Sequence, residues 1–249
     1  DIILASPERA IHSSIAALAV EANVSEPTVN RFCRSMDTRG FPDFKLHLAQ
    51  SLANGTPYVN RNVDEDDSVE SYTGKIFESA MASLDHVRQS LDNAAVNRAV
   101  DLLTQAKKIA FFGLGSSAAV AHDAMNKFFR FNVPVIYSDD IVLQRMSCMN
   151  CSDDDVIVLI SHTGRTKSLV ELAQLAREND AMVIALTSPG TPLAREATLA
   201  ITLDVPEDTD IYMPMVSRLA QLTVIDVLAT GFTLRRGAKF RDNLKRVKE

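Results

Sequence analysis

The stretch Ile109-Ala110-Phe111-Phe112-Gly113-Leu114-Gly115-Ser116-Ser117 decides the fold class of this 249-residue chain. It is a short apolar run that leads through a glycine-rich turn into a helix. An apolar run without polar alternation is typical of a strand buried on both faces of a parallel sheet. Backbone N–H groups and hydroxyls at the start of the next helix favour an anion. The stretch therefore predicts a strand, an anion-binding loop and a helix in direct succession.

Further apolar runs alternate with amphipathic helices along the rest of the chain. The predicted strands are 109–113, 133–137, 156–161, 183–187 and 199–203. The predicted helices between and after them are 117–131, 141–149, 168–178, 192–197 and 215–232. Strand–helix alternation with right-handed crossovers produces a doubly wound α/β fold. We therefore predict a five-stranded parallel sheet of the flavodoxin type, with strand order 2-1-3-4-5.

A second hydroxyl-rich loop, Ser161-His162-Thr163-Gly164-Arg165-Thr166, leaves the third predicted strand. Strands 1 and 3 are neighbours in this order, at the switch point where such folds bind ligands. Both loops should therefore meet at one crevice and form a phosphate site, although hydroxyls that only cap two helices are the alternative. The candidate ligand-binding residues are Gly115, Ser116, Ser117, Ser161, His162, Thr163, Gly164, Arg165 and Thr166. A dinucleotide fingerprint is disfavoured because Ala118 stands where its third glycine is needed.

The first 52 residues show short helical patterns and indicate a helix-turn-helix. A helix over 13–22 is followed by Asn23, which tolerates a left-handed turn, by Val24 as a plug in the turn, and by Ser25 as the cap of a second helix. Val29, Phe32, Cys33 and Met36 should face inward. The candidate DNA-binding residues are Ser25, Pro27, Thr28, Asn30, Arg31, Arg34 and Lys45. A small helical bundle without DNA contacts is the alternative.

The charge of the chain is unevenly distributed. Lys and Arg number 26 against 32 Asp and Glu, a formal net charge of −6, which disfavours an indiscriminate nucleic-acid coat. Five of the acids lie in 64–70 and four in 204–210, without a basic residue in either segment. The rest of the chain therefore has 23 acidic and 26 basic residues, which is compatible with selective DNA reading.

These patterns divide the chain into a helix-turn-helix domain at 1–55, an acidic linker at 56–70 and a sheet domain at 71–249. The opening residues read as mid-helix without an initiator Met, so we expect a natural N-terminal piece to be missing. Neither a signal peptide nor a membrane segment is indicated, and the three cysteines are too few for a disulfide framework, which favours the cytoplasm. The pair Cys148 and Cys151 has no second ligand pair, so we expect no metal and no cofactor.

The motifs together resemble bacterial regulators of the RpiR family. The resemblance rests on Val24–Phe32, on Gly40–Phe44 and on the two hydroxyl loops. It implies a helix-turn-helix followed by a sugar isomerase (SIS) domain, and a phosphate loop of Ser117, Ser161, Thr163 and Thr166 with Ser116 adjacent. It also implies a homodimer or larger homo-oligomer that represses glucose and Entner-Doudoroff genes at a palindromic double-stranded operator. A phosphosugar acid such as 2-keto-3-deoxy-6-phosphogluconate would release the DNA.

One loop departs from the pattern S-Q-S-G-E-T of the related enzymes, because His162 replaces Gln and Arg165 replaces Glu. A guanidinium beside the phosphate loop suits a ligand that also carries a carboxylate. The alternative function is a phosphosugar aldose-ketose isomerase, for which His162 and the region of Glu207 are the evident general bases. A sensor that acts through a protein partner is a further alternative. We predict no catalytic residue and no enzymatic activity.

Overall fold

The computed structural model describes residues 2–5, 7–36, 38–53, 66–205, 207 and 215–246. Its internal contacts divide the chain into two compact units, Asp1–Tyr58 and Val59–Glu249. The predicted linker 56–70 lies mostly outside the described residues, so the exact domain boundaries stay predictions. Within the described residues, no helix combines the length and the hydropathy needed to cross a membrane.

The first unit is helical, as predicted. Its helices are α1 (Ile2–Ala5), α2 (Pro7–His12), α3 (Ile15–Glu21), α4 (Glu26–Ser35) and α5 (Phe41–Ala53). Asn23 has a φ of 51° and so takes the left-handed conformation expected between α3 and α4. Extended backbone at Ser25 then starts α4, with Pro27 in its first turn. The helix-turn-helix geometry is therefore present where the sequence placed it.

The inward face of α4 differs from the prediction. Val29 and Cys33 are buried, together with Leu18, Ala19 and Phe41. Phe32 and Met36 are instead 44% and 57% exposed, so the expectation that they face inward is wrong; Val24 in the turn before α4 is also exposed. They line an apolar groove of about 680 Å³ with residues of α1, α3 and α5. The physical reason is that the helices around this side of α4 contact it at its edges, as in the T-shaped pair of Phe32 and Phe44 at 5.8 Å, and leave the groove between them open.

The second unit contains the predicted parallel sheet. Its strands are β1 (Lys108–Gly113), β2 (Val135–Ser138), β3 (Asp155–Ser161), β4 (Met182–Thr187) and β5 (Leu199–Thr202). The strand order is β2-β1-β3-β4-β5 and all four pairings are parallel. The predicted fold class is confirmed. β2 begins two residues later than predicted, after Pro134, which has no N–H to donate to a ladder.

Helices cover both faces of the sheet. They are α6 (Val69–Ser90), α7 (Asn93–Gln105), α8 (Ser116–Phe128), α9 (Ile141–Met149), α10 (Lys167–Glu178), α11 (Pro192–Glu196) and α12 (Val216–Arg246). Alternate β3 residues point to opposite faces: Val156, Val158 and Ile160 join a cluster with α7, α8 and α12. Ile157 and Leu159 join a second cluster with α10 and α11. This double burial explains why the strands read as continuous apolar runs.

Helix α12 extends well beyond its predicted end at residue 232. It reaches Arg246 across a kink at Gly237, whose φ of 81° and ψ of −173° are not helical. The rings of Phe131 and Phe232 stack at 5.0 Å between centroids, and Phe240 beyond the kink packs against both rings. Aromatic packing therefore continues the helix past its predicted end.

Two helical glycines should respond in opposite ways to a methyl group. A Cβ on Gly231 of α12 would lie 2.6 Å from Cγ2 of buried Val100 on α7, whereas a Cβ on Gly74 of α6 would meet nothing within 4 Å. We expect Gly231→Ala to lower the free energy of unfolding by about 1–3 kcal/mol through overpacking. Gly74→Ala should raise it by about 0.5–1 kcal/mol. Urea unfolding measures both, and a stabilising Gly231→Ala would contradict the close packing of α7 and α12.

Candidate functional site

The loop after β1 approaches the first turn of α8 very closely. A Cβ on Gly113 would lie 2.6 Å from the carbonyl oxygen of Ser117, so only glycine fits at the end of the strand. Gly115 has a φ of 57° and is the residue from which α8 starts. Ser117 is buried and Ser116 is half-buried. The glycines thus allow the N-terminus of α8 to lie directly at the carboxyl end of β1.

The loop after β3 is organised by its own hydroxyls. Oγ of buried Ser161 accepts a hydrogen bond from the backbone N–H of Gly164 at 3.2 Å, and Oγ1 of Thr163 accepts one from the N–H of Arg165 at 3.4 Å. Thr166 caps α10 through its extended backbone and makes no side-chain cap bond. Its hydroxyl therefore remains available at the N-terminus of α10, where an anion is favoured.

The two loops leave neighbouring strands, because Gly113 of β1 is in register with Ile160 of β3. A cavity with a volume of about 310 Å³ lies on the β4 side of the β3 loop. Its lining is His162, Thr163, Arg165, Ser188, Gly190, Thr191, Pro192 and Glu207. Ser116 and Ser117 do not line it. The structure thus brings part of the predicted site to a cavity, and joint binding by both loops stays a prediction.

The cavity contains charges of both signs around a neutral imidazole. Burial lowers the pKa of His162; the nearby Glu207 carboxylate opposes this shift, and the Arg165 guanidinium adds to it. Nδ1 of His162 lies 3.5 Å from Oγ of Ser188. The Arg165 side chain is exposed. An unprotonated His162 can exchange hydrogen bonds with sugar hydroxyls, and Arg165 supplies the positive charge.

The β4 loop holds the β3 loop in place. The backbone N–H of Ser188 donates to the carbonyl of His162 at 3.1 Å, and that of Leu193 donates to the carbonyl of Gly164 at 3.0 Å. Gly164 has a φ of 55°, and a Cβ there would overlap the hydroxyls of Thr187 and Thr191. This support was not among the features predicted from the sequence. Its available signal was Thr191-Pro192, a helix cap followed by proline, directly after a strand.

Gln144 supports the β1 loop from the opposite side. This side chain is fully buried on α9, and its Nε2 donates to the carbonyls of Gly113 at 3.2 Å and Ser138 at 2.7 Å. It therefore ties the ends of β1 and β2 together. A glutamine on an amphipathic helix normally reads as a solvated position, so the sequence held no signal for this role.

Helix α4 presents a connected polar face at its N-terminus. Oγ of Ser25 and Oγ1 of Thr28 lie 2.9 Å apart, and Nη2 of Arg31 donates to Oγ1 of Thr28 at 3.2 Å. Arg34 and Pro27 are exposed on the same helix. A hydroxyl pair at the helix N-terminus, with the guanidinium groups of Arg31 and Arg34 further along the same helix, is suited to phosphate oxygens and base edges.

Two of the candidate DNA-binding residues have partners inside the first unit. Oδ1 of Asn30 accepts a hydrogen bond from the backbone N–H of Phe41 at 3.3 Å. Nζ of Lys45 donates to the carbonyl of Ser13 at 3.2 Å and lies 5.2 Å from the ring centroid of Phe41. Both side chains connect helices of the unit, so DNA contacts from them stay predictions with a competing structural role.

The cysteines offer no reactive or metal-binding group. Burial raises the pKa of the Cys148 thiol to about 12 and also raises the pKa values of Cys33 and Cys151. Protonated thiols are poor nucleophiles and poor metal ligands. Across the described part of the chain, no group of three or more His, Cys, Asp or Glu side chains is arranged to hold a metal ion.

Comparisons with known proteins match both units. Residues 1–55 match the family model for a helix-turn-helix domain of the rpiR family, and residues 102–231 match the model for the SIS domain. The HTH-type transcriptional regulator HexR of Escherichia coli strain K12 is 93% identical over 249 residues, which are 100% of this chain and 86% of that protein. HexR of Pseudomonas aeruginosa is 57% identical over 100% of this chain and 87% of its own.

A solved structure supports the architecture over the full chain. The Vibrio vulnificus NanR protein complexed with ManNAc-6P has a TM-score of 0.67 and 26% sequence identity, covering 100% of this chain and 89% of its own. The sugar isomerase domain of an RpiR transcription factor from Sphaerobacter thermophilus has a TM-score of 0.62 at 18% identity, over 71% of this chain and 97% of its own. The latter similarity shows the fold of the sheet unit alone.

Proposed function

The chain belongs to the RpiR family of helix-turn-helix transcriptional regulators that carry a SIS domain, and we propose that it represses glucose and Entner-Doudoroff genes until a phosphosugar acid binds. The observation that carries the effector assignment is Arg165, an exposed guanidinium on a cavity that the hydroxyl loop also lines. A protein that binds DNA and a phosphorylated metabolite would work in the bacterial cytoplasm, which is the location that we propose.

The prediction of a regulator rather than an enzyme is confirmed by the highly identical relatives, which are transcriptional regulators. The geometry agrees with this outcome. An isomerase needs a carboxylate or imidazole that is free to move a proton between substrate carbons. Glu207, one of the two bases considered, accepts hydrogen bonds from the backbone N–H groups of Met215 and Val216. Its charge is thereby directed to the start of α12.

The proposed effector is 2-keto-3-deoxy-6-phosphogluconate. Its phosphate would bind the hydroxyls and helix N-termini of Ser116, Ser117, Ser161, Thr163 and Thr166, with Gly115 and Gly164 permitting close approach. Its carboxylate would pair with Arg165, since a guanidinium binds carboxylates through two hydrogen bonds. Its hydroxyls would meet His162. The NanR structure, which holds the sugar phosphate ManNAc-6P, supports a phosphosugar on this fold.

DNA reading is assigned to the exposed face of α4. Ser25, Thr28, Arg31 and Arg34 form the contacts that we propose with phosphates and base edges. Asn30 joins α4 to α5, and Lys45 joins α5 to the carbonyl of Ser13. A homodimer or larger homo-oligomer would present two such helices to the half-sites of a palindrome. Effector binding would then change the affinity for the operator.

A binding assay with operator DNA tests the proposed regulation directly. Fluorescence anisotropy with the full chain should show weaker DNA binding when 2-keto-3-deoxy-6-phosphogluconate is added, by about 5–150-fold if the coupling has the usual size. The release follows because a ligand shifts an equilibrium by its different affinities for the two states. Gluconate, a sugar acid that carries a carboxylate but no phosphate, is the control and should have no effect on DNA binding. Equal DNA affinity with and without the phosphorylated acid would refute the proposal.

Replacing Arg165 tests the carboxylate assignment. Arg165→Ala should weaken binding of 2-keto-3-deoxy-6-phosphogluconate by about 1.5–3 kcal/mol, because a hydrogen bond to a charged group is lost. Lys167→Ala is the matched control, since Lys167 is an exposed cation two residues away that does not line the cavity. Isothermal titration calorimetry measures both. Unchanged affinity in Arg165→Ala would remove Arg165 from the site.

Replacing Arg31 tests the DNA face. Arg31→Ala should reduce discrimination between operator and scrambled DNA by about 1–3 kcal/mol if the guanidinium reads a base. Arg88→Ala on α6, which removes an exposed arginine paired with Asp85, is the matched control. Anisotropy titrations at several salt concentrations separate the contributions. A uniform loss on both DNA sequences, with a smaller salt dependence, would reassign Arg31 to a phosphate contact.

A further inference from the structure

Glu207 connects the cavity with the longest helix of the second unit. It lines the cavity together with His162, Thr163 and Arg165. Its carboxylate also accepts hydrogen bonds at the start of α12, from the N–H of Met215 at 2.6 Å, of Val216 at 2.8 Å and of Ser217 at 3.3 Å. The hydroxyl of Ser217 donates to the same carboxylate. The Glu207 side chain is therefore part of both the cavity and the N-terminus of α12.

These bonds make Glu207 the cap of α12. The first N–H groups of a helix have no partner within it, and a carboxylate at this end also offsets the positive pole of the helix. Ser217 is 1% exposed, so its hydroxyl depends on Glu207 in a buried place. Loss of the carboxylate from this position would leave the first turn of α12 without its acceptor.

A ligand in the cavity acts on the same carboxylate. A phosphosugar acid brings hydroxyl groups, which can donate hydrogen bonds to Glu207. These donors compete with the N–H groups of α12 for the same carboxylate. The carboxylate already affects the cavity electrostatically, because it opposes the lowering of the pKa of His162. Occupancy of the cavity and the strength of the α12 cap are therefore linked.

Helix α12 is closely packed against its neighbours, so we expect a shift at its start to displace the helices that it contacts. Ala220, Val224, Ile225, Leu228 and Phe232 are buried in the larger hydrophobic cluster, which also contains Val87 of α6. α12 contacts α6, α7 and α8. Closely packed interiors favour discrete rearrangements over continuous deformation. α6 is also the helix that follows residues 54–65 along the chain from the first unit.

We propose that Glu207 is the coupling residue of the regulator: an effector in the cavity draws this carboxylate away from the N-terminus of α12, and the shift of α12 lowers the affinity for DNA. This inference rests on the proposed function. It adds the residue through which effector binding reaches the rest of the unit.

The test compares operator affinity without effector and at saturating 2-keto-3-deoxy-6-phosphogluconate, with saturation established for each variant by calorimetry. For the wild-type chain the ratio of the two dissociation constants should be about 5–150. In Glu207→Gln, which keeps the shape but not the charge, the ratio should fall to about one. Ser217→Ala removes a partner of the carboxylate outside the cavity lining. It should give an intermediate ratio, with the effector affinity of the wild type.

Asp92→Asn is the matched control. Asp92 caps α7 by accepting hydrogen bonds from the N–H groups of Ala94 and Ala95, and α7 also contacts α12. This variant should keep the wild-type ratio. If Glu207→Gln keeps the wild-type ratio of the two dissociation constants, the inference is overturned. It is also overturned if Ser217→Ala and Asp92→Asn lower this ratio equally, because that would indicate a general loosening of the unit. If Glu207→Gln does not give the circular dichroism spectrum of the wild type, Ser217→Ala decides. A wild-type ratio of one refutes the proposed function itself.

Discussion

A parallel sheet buried on both faces ends all its strands at one edge, and this constraint determines where polar chemistry can lie in the second unit. β3 illustrates it, since every residue from Asp155 to Ser161 is buried and the side chains proposed to meet a ligand begin only at its last residue, Ser161. The loops after β1, β3 and β4 must then satisfy their own backbone groups and still leave room for a ligand. Glycines at 113 and 164 and the hydroxyls of Ser161, Thr163 and Thr191 meet both demands.

The sheet and its order could be predicted because their signal is local and repeated. Each strand is a continuous apolar run. Asn23 indicates the turn before α4, because asparagine tolerates a positive φ. What could not be predicted depends on distant partners. Gln144 matters because two carbonyls from β1 and β2 lie beside it, and Asn30 because Phe41 begins a helix nearby. Phe32 and Met36 have the spacing of core residues, yet spacing alone does not supply an element to cover them.

The described residues of the acidic segment 204–210 have different roles in the structure. Read as sequence, it is a run of charges after the last strand, typical of solvated surface. In the structure, Glu207 is half-buried and its carboxylate accepts hydrogen bonds from the start of α12. Asp204 is instead exposed, and its Oδ2 lies 3.7 Å from Nε2 of His86. Neighbouring acids of one run thus serve different purposes. The acid that lies at the positive N-terminal pole of a helix has the structural role, and the net charge of the segment does not show which acid this is.

The hydrogen bond between Asn30 and Phe41 restricts how the proposed DNA-reading helix of this protein can be exchanged. Oδ1 of Asn30 lies in the space that a side chain on Gly40 would need, and it accepts the first N–H of α5. Position 30 therefore has a structural role on α4, the helix whose exposed face we propose to read DNA. Under that proposal, a change of DNA specificity by exchange of α4 has to transfer Asn30 and Gly40 together, whereas Thr28, Arg31 and Arg34 make no hydrogen bond that joins the two helices among those described.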